Sequence, residues 1–579
     1  MCGITAIAGK KINPKQYKTE AMLQLLKHRG PDGRGEIFFP NCWMGHRRLS
    51  IIDIDKGQQP MTDKNFTIVF NGEIYNYVEL QSQLKKEGCK FKTNSDTEVI
   101  LKAYQKWGHE CPKYIDGMFA FAIWDNKKNE LFIARDRLGK KPLYYFFDKN
   151  NILIASEIKA LIASGTLKPE IDYKAIDNYL RVMYIPPWKS VYKNIHQLPP
   201  SHCGVFKNGK ISLKKYWQIN NSPIKISYHE AKEELIRLIN EAVKKRLTTS
   251  DVEIGTFLSG GIDSSLITLV AAQESKNKLK VFSINYSGHE EYPFAKQVCQ
   301  KIKAEHHIQQ VEAFVPSELE KVISYIDEPH ADTADFPHHL LSQLATKKVK
   351  TVLSGDGADE IFFGYKWHTQ NKKNTDIFDH RINSICVFDE EQRVALWQSK
   401  KYINDDIIAK KNYKKNYTSM DKVAMFDLSS HLPGQILARA DRASMMHGLE
   451  LRSPFLDTNL IEFVFNLPIE YKIHKGEQKY IIKDILNQYM PKSFVYRKKQ
   501  GFGAPIDGWL ENNKNKEYIY TKLGYKSKIR NILSGAAIDQ YLNNFYIQNK
   551  KDKRAGQRIW VLLCLEIWLN SQVRSTYEK

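Results

Sequence analysis

The sequence predicts a chain of two unlike parts: a layered α+β domain, then an α/β domain built on a doubly wound parallel sheet. Three observations carry this. Short aromatic and β-branched segments of period two fill the first two hundred residues, among them "FTIVFNGEIYN", "MFAFAIWD", "ELFIARDRLG", "PLYYFF" and "NILIASE". Half-buried strands impose that pattern, because successive side chains face opposite ways. Prolines and glycines then break it near "HQLPPSHCGVFKNGKISLKKYW". Beyond the break come "EIGTFL", "SGGIDSS", "LITLVAAQ" and "KVFSINYS", a strand, loop, helix and strand whose order implies parallel pairing through a crossover.

In chain order, "MCGITAIAG" reads as an opening strand with a cysteine behind the initiator methionine. If that methionine is removed, Cys2 carries a thiol and a free α-amine on one residue, a nucleophile with a built-in base; the plainer alternative is a buried strand cysteine. "YVELQSQLKKEG" is a helix between strands. In "SYHEAKEELIRLINEAVKKRL" the apolar residues Ala231, Leu235, Leu238 and Ala242 fall at helical spacing, so an amphipathic helix opens the second part. The two domains are placed at residues 2–210 and 228–575. A chain of 579 residues is long enough for about two to four domains.

Composition narrows the function classes. Eight cysteines lie scattered without CxxC pairs, which argues against a disulfide framework or a zinc site and for a reduced, cytoplasmic setting. The longest apolar stretch, "IWVLLCLEIWL", is short and contains Glu566; a soluble protein with no membrane partner is expected. Lysine and arginine exceed the acids by 22. The basic residues are spread thinly and no nucleic-acid motif accompanies them, so attraction of anionic nucleotides, or solubility, is the expected use of that charge rather than nucleic-acid binding.

The loop "FLSGGIDSS" follows a strand and opens a helix. Gly260 and Gly261 let the backbone approach an anion, Ser259, Ser264 and Ser265 offer hydroxyls, and a helix N-terminus favours negative charge. The Walker A spacing and its lysine are absent. A Gly-Gly turn with helix capping is the alternative; Asp263 favours the phosphate reading, because a carboxylate beside phosphates is best tolerated when it holds Mg²⁺. A second block, "VLSGDGADEIFFGY", again puts glycines and acids after an apolar strand.

These blocks resemble a known family. SGGxDS looks like the pyrophosphate loop of ATP pyrophosphatases, and the second block is similar to the acidic loop of glutamine-dependent asparagine synthetases. The likeness covers nearly the whole chain, with "MCGI", "HRGPDGRG", "GHRRLSIID", "FNGEIYNY", "NSDTEVI", "GMFAFAIWD", "RDRLGKKPLYY", "LSGGIDSS", "LSGDGADE", "RADRASMMHGLELRSPFLD" and "RKKQGFGAP" in the family's order. It implies an Ntn-hydrolase-like αββα sandwich followed by an ATP-pyrophosphatase domain with added C-terminal helices.

The resemblance also implies roles. Cys2 attacks the side-chain amide of glutamine, its α-amine (ordinary pKa about 7.7–8.0) taking the thiol proton. Asn71 and Gly72 form the oxyanion hole. Arg48 pairs with the α-carboxylate of glutamine, and Glu73 and Asp96 hold its α-ammonium. In the synthetase half Leu258 and Ile284 contact adenine. Ser259, Gly260, Gly261, Asp263, Ser264 and Ser265, with Ser354 and Gly355, bind ATP. Asp263 and Asp359 serve Mg²⁺, and Asp441 and Lys499 stand near the phosphates and the adenylated intermediate. The implied partners are glutamine, ATP and aspartate, and family members often form homodimers. Three departures bear on the acceptor. Asp356 stands where glutamate is often found as a base, Phe363 stands at a position that is commonly glycine, and "DEPHADTADFPHH" offers no arginine for an amino-acid carboxylate. Aspartate is the expected acceptor; another carboxylate, such as a sugar uronic acid or cell-wall precursor, is the second choice, and a non-catalytic nucleotide-binding homologue the third.

Overall fold

Twelve strands of the first part form two six-stranded antiparallel sheets. They are β1 (Gly3–Gly9), β2 (Gly33–Phe39), β3 (Cys42–Arg48), β4 (Met61–Asp63), β5 (Phe66–Ile74), β6 (Gly117–Asp125), β7 (Glu130–Arg135), β8 (Tyr144–Phe147), β9 (Asn151–Ala155), β10 (His196–Gln197), β11 (His202–Lys207) and β12 (Lys210–Lys215). The sheet orders are β10-β8-β9-β1-β3-β2 and β12-β11-β7-β6-β5-β4. This computed structural model describes the chain except for residues 11, 13–15, 287–290, 312–314, 370–375, 398–416, 498–502, 549–551 and 578–579.

The sheets face each other across a core in which Ile4, Ala6 and Ala8 of β1 meet Val69 of β5 and Ala120 and Ala122 of β6. The opposite face of β5, Ile68 and Phe70, packs on Val99, Ile100 and Ala103 of the helix Asp96–Trp107. The helices Thr19–Leu25 and Ile158–Ile162 cover the first sheet. The αββα order is that of an Ntn-hydrolase-like sandwich. One expectation needs correction: "MFAFAIWD" and "ELFIAR" are not half-buried but buried throughout, since each sheet has the other on one side and helices on the other. The hairpin over Asn208 and Gly209 carries β12 to Lys215, so the second sheet extends past the expected boundary at residue 210.

The second part is a five-stranded parallel sheet, β13 (Ile254–Phe257), β14 (Lys280–Tyr286), β15 (Glu305–Val311), β16 (Thr351–Leu353) and β17 (Glu450–Arg452), in the order β15-β14-β13-β16-β17. Val281 faces a core shared with Leu235, Leu266 and Val270. Phe282, one residue on, faces Leu341 and Ala440 on the other side, so the sheet is wound on both faces. The strand order reverses between β13 and β16, and their C-terminal loops therefore open side by side. Ligands of such sheets bind at that switch point.

The amphipathic helix spans Tyr228–Thr248 and begins with a capping box between Ser227 and Glu230. At the C-terminus the helix Ala555–Tyr577 buries Trp560 and Trp568 in the core that also holds Ile7, Leu23 and Trp43 of the first domain. Its Glu566, out of place in an apolar run, accepts the backbone N–H groups of Lys528 and Ile529 at 3.1 and 2.7 Å. Among the described residues no helix is long and apolar enough to cross a membrane.

Candidate functional site

The start of β1 and the middle of β5 lie on facing sheets, which places Cys2 against Asn71. The Cys2 backbone N–H donates to Asn71 Oδ1 at 2.9 Å. Asn71 Nδ2 is buried and has no hydrogen-bond partner among the described residues, an open donor of the kind that calls for a ligand or another explanation. Gly72 follows with φ of +152°, and a Cβ there would lie 2.0 Å from the Met118 carbonyl oxygen on β6. Only glycine fits. Burial raises the Cys2 thiol above its ordinary pKa, partly offset by the nearby α-ammonium and the Leu49 N–H. The chain described starts at Met1, so the Cys2 nitrogen is here an amide; the free α-amine expected of it is a property of the processed chain. The Met1 ammonium is buried 3.1 Å from Glu450 Oε2 of β17.

Around this point the acids gather. Burial, then the neighbouring Glu450, pushes the Glu73 carboxyl well above its usual range, while Arg452, with Nη2 at 3.4 Å, opposes the shift. Asp96 accepts the Ile74 N–H at 3.1 Å, and burial pushes its pKa up to about 7. The Arg48 guanidinium donates to the carbonyls of Ile52, Asp53 and Ile54 at 3.0, 2.7 and 2.7 Å, so it shapes the 52–54 loop beside the site.

At the switch point the loop after β13 turns through Gly260, at φ of +90°, where a Cβ would lie 2.5 Å from the Glu291 carbonyl oxygen. Ser259 and Ser264 exchange hydroxyl contacts at 3.1 Å, and the Gly261 N–H donates to Ser259 Oγ at 3.1 Å. Ser265 is buried in the first turn of the helix Ile262–Glu274. The loop after β16 comes close: a Cβ on Gly355 would stand 2.7 Å from the Ser264 nitrogen. Leu258 is buried, its N–H donates to the Phe282 carbonyl at 2.9 Å, and Ile284 lies two residues on along β14. Ser354 donates its hydroxyl to Asp356 at 2.7 Å and its N–H to the Arg452 carbonyl at 2.9 Å.

Asp263 and Asp359, from the two loops, converge on the Lys479 ammonium, each at 2.6 Å. Asp263 Oδ1 is buried without a hydrogen-bond partner among the described residues. Two carboxylates aimed at one cation, with a lone pair to spare, fit the donor set of Mg²⁺.

Models of two families match the chain: "Glutamine amidotransferase domain" over residues 1–217 and "Asparagine synthase" over 234–570. A Bacillus subtilis (strain 168) protein named asparagine synthetase [glutamine-hydrolyzing] 1 is 31% identical, covering 100% of this chain and 98% of that protein. The chain belongs to the glutamine-hydrolysing asparagine synthetase family. It is thus an enzyme of that type, an ATP-dependent carbon–nitrogen ligase. Asparagine synthetase [glutamine-hydrolyzing] 3 of the same organism is 32% identical over 87% of each chain. A putative asparagine synthetase 2 of Methanocaldococcus jannaschii is 39% identical, covering 64% of this chain and 76% of that one.

Within this chain the expected phosphate-site residues do not all meet. Asp441 faces the amidotransferase domain, with Arg29 Nη1 at 2.9 Å and Lys141 Nζ at 3.7 Å, because the helix Leu437–Met445 turns that side to the domain interface. Lys499 lies outside the described residues. Asp356 has a partner of its own, Arg439 at 3.5 Å, and burial raises its pKa while Arg439 lowers it.

Arg439 also supplies the cation that the segment "DEPHADTADFPHH" lacks. Its Nη1 lies 2.8 Å from Asp332 Oδ2 in that segment, and its Nε has no hydrogen-bond partner among the described residues. Lys479, Arg439 and Arg452 escaped the sequence reading because Asp263, Asp332 and Glu73, which they face across the fold, lie far away in the chain. The one signal was the quoted "RADRASMMHGLELRSPFLD" block, which contains both Arg439 and Arg452. Phe363 is buried with φ of +55°. A left-handed backbone explains why glycine is common there, and phenylalanine bears a strain of about 1–3 kcal/mol.

Proposed function

We propose that the enzyme makes asparagine from aspartate: Cys2 releases ammonia from glutamine, and the synthetase domain activates the aspartate side chain with ATP, forming AMP and pyrophosphate. What supports the reading is that the Cys2, Asn71 and Gly72 group and the paired loops after β13 and β16 lie in one chain, their domains joined by buried ion pairs: Arg29 and Lys141 with Asp441, and Arg452 with Glu73.

In the first half-reaction Asn71 Oδ1 holds the Cys2 nitrogen in place. With Met1 removed, that nitrogen takes the thiol proton, and the sulfur attacks the glutamine amide carbon. Asn71 Nδ2 and the Gly72 N–H receive the developing oxyanion, a group worth stabilising in so dry a site. Glu73 and Asp96 hold the α-ammonium of glutamine, and Arg48 serves its α-carboxylate through the loop it organises. As the oxyanion collapses, the C–N bond breaks and the Cys2 amine returns its proton to the leaving nitrogen, so that ammonia departs and a thioester remains; water then hydrolyses the thioester to glutamate and restores the thiol.

In the second, the Ser259–Ser265 loop and Gly355 cradle the ATP phosphates, with adenine against Leu258 and Ile284. Asp263 and Asp359 would hold Mg²⁺, which would supply charge neutralisation for the phosphates. Arg439 orients the α-carboxylate of aspartate so that its side-chain oxygen faces the α-phosphorus; positioning supplies most of such catalysis. Asp356, whose pKa burial raises and Arg439 lowers, accepts the proton lost by ammonia as it displaces AMP from the activated carboxylate. All eight cysteines are free, which supports a cytoplasmic, reducing setting.

Incubation with glutamine, ATP and Mg²⁺, with and without aspartate, tests this. Glutamate, pyrophosphate and asparagine are expected together when aspartate is present. Glutamate release without asparagine or pyrophosphate would assign a different carboxylate.

A further inference from the structure

Lys479 is almost completely buried, 2% exposed, between the two carboxylates that the proposed function gives to the metal. Several features build this position. Lys479 itself takes φ of +54° at the entry to the helix Tyr480–Leu486, directly after a short hairpin that pairs Ile473–His474 with Glu477–Gln478. Gln478 donates its side-chain amide to the Tyr365 carbonyl, tying the hairpin to the acidic loop. Gly364 leaves the slot through which the lysine passes: a Cβ there would lie 1.9 Å from Lys479 Cε and 2.0 Å from Asp359 Oδ1. Burial alone would lower the Lys479 pKa, yet the two carboxylates outweigh it and hold the ammonium protonated.

We propose that Lys479 is a built-in stand-in for the divalent cation, filling the Asp263–Asp359 site until nucleotide arrives, so that metal enters only together with ATP. An ammonium and a divalent ion cannot share one point between two carboxylates, because their mutual repulsion in a dry site is large. A triphosphate changes the balance. It brings enough negative charge to accept both cations, and the lysine can turn from the carboxylates toward the phosphates while the metal takes its place. Free metal and free nucleotide are then each weak ligands, and each strengthens the other by the same factor, as linkage requires.

The inference rests on the assignment of Asp263 and Asp359 as metal ligands, and the test separates the two. Mn²⁺ binding to the full-length protein is followed by electron paramagnetic resonance, with Mn²⁺ alone and with the ATP analogue α,β-methylene-ATP. In the unaltered enzyme Mn²⁺ is expected to bind at least about tenfold more tightly with the analogue, after subtraction of Mn²⁺ held by the analogue in solution. Lys479→Met is expected to bind one Mn²⁺ without nucleotide, about tenfold or more tightly than the unaltered enzyme, and to gain thermal stability on Mn²⁺ addition. Lys479→Arg, which keeps the cation, should show neither gain. Equal Mn²⁺ affinity of the unaltered enzyme with and without the analogue overturns the proposal even if every variant fails to fold; so does a Lys479→Met variant that folds and gains no Mn²⁺ affinity. If Asp263→Asn and Asp359→Asn leave Mn²⁺-analogue binding unchanged, the metal assignment itself fails, and the proposal with it.

Discussion

Asn71 does two things with one side chain: its oxygen fixes the Cys2 nitrogen and its amide nitrogen is left open. Asn71→Ala should therefore lower kcat for glutamine hydrolysis by about 10²–10³, roughly 3 kcal/mol, while synthesis from added ammonium continues. Measuring both rates on one preparation checks this, and an equal loss in both would contradict it. Asp96 gives the pH dependence. Its carboxyl, raised to about 7, must be ionised to hold an ammonium, so kcat/KM for glutamine falls as pH drops below about 7, at most about tenfold per unit. Asp96→Asn should flatten that limb. Because the folded pKa is raised, the same group favours folding below its ordinary pKa and loses that contribution as pH rises through about 7. These residues were legible in the sequence because they sit inside contiguous blocks such as "FNGE" and "NSDTE". Lys479 was not: its partner Asp263 lies 216 positions away, and nothing local marks a lysine that will be buried.

Period two and helical spacing disclosed most of the elements, since a strand or an amphipathic helix writes its buried face into the sequence. They misjudged the depth of burial in β6 and β7, because a strand covered on both faces still alternates large and small residues. They gave no sign of the ten-residue π-helical stretch Asp427–Ile436, which contains Pro433 and Gly434. Tertiary contacts hold that stretch. Asp427 at its start accepts from Arg381 Nε and Nη2 at 2.8 and 2.6 Å and faces His368 Nε2 at 3.2 Å, all buried, and a Cβ at Gly434 would lie 2.5 Å from the Tyr184 ring. Asp427→Ala leaves a buried guanidinium without its partner and should cost about 3–5 kcal/mol. A fall of the denaturant midpoint reports it; an unchanged midpoint would mean that the clamp contributes nothing.

At the scale of the molecule the two domains are joined beside Cys2, at Glu73. Arg452 faces Glu73 with its side chain, while its backbone carbonyl accepts the Ser354 N–H of the acidic loop. Its Nη1 is anchored on the carbonyls of Arg246 and Thr249 at 2.6 and 3.0 Å. Arg452 is thus the synthetase domain's counterweight to the burial and the Glu450 carboxylate that raise the Glu73 carboxyl. Arg452→Met should raise KM for glutamine about tenfold or more, with Arg452→Lys recovering part of the loss; a KM that does not move would uncouple the pocket from the second domain. Sequence blocks disclosed two domains and two chemistries, but the ion pairs between them join residues hundreds of positions apart and became visible only in the fold.

The central claim is a division of labour, with ammonia released at Cys2 and consumed at the switch point of the parallel sheet. Cys2→Ala tests it most directly, with asparagine formation measured from glutamine and from ammonium at saturating ATP, Mg²⁺ and aspartate. Synthesis from glutamine should fall by about a thousandfold or more, and synthesis from ammonium should persist at the rate of the unaltered enzyme. Loss of the ammonium reaction together with the glutamine reaction would contradict it.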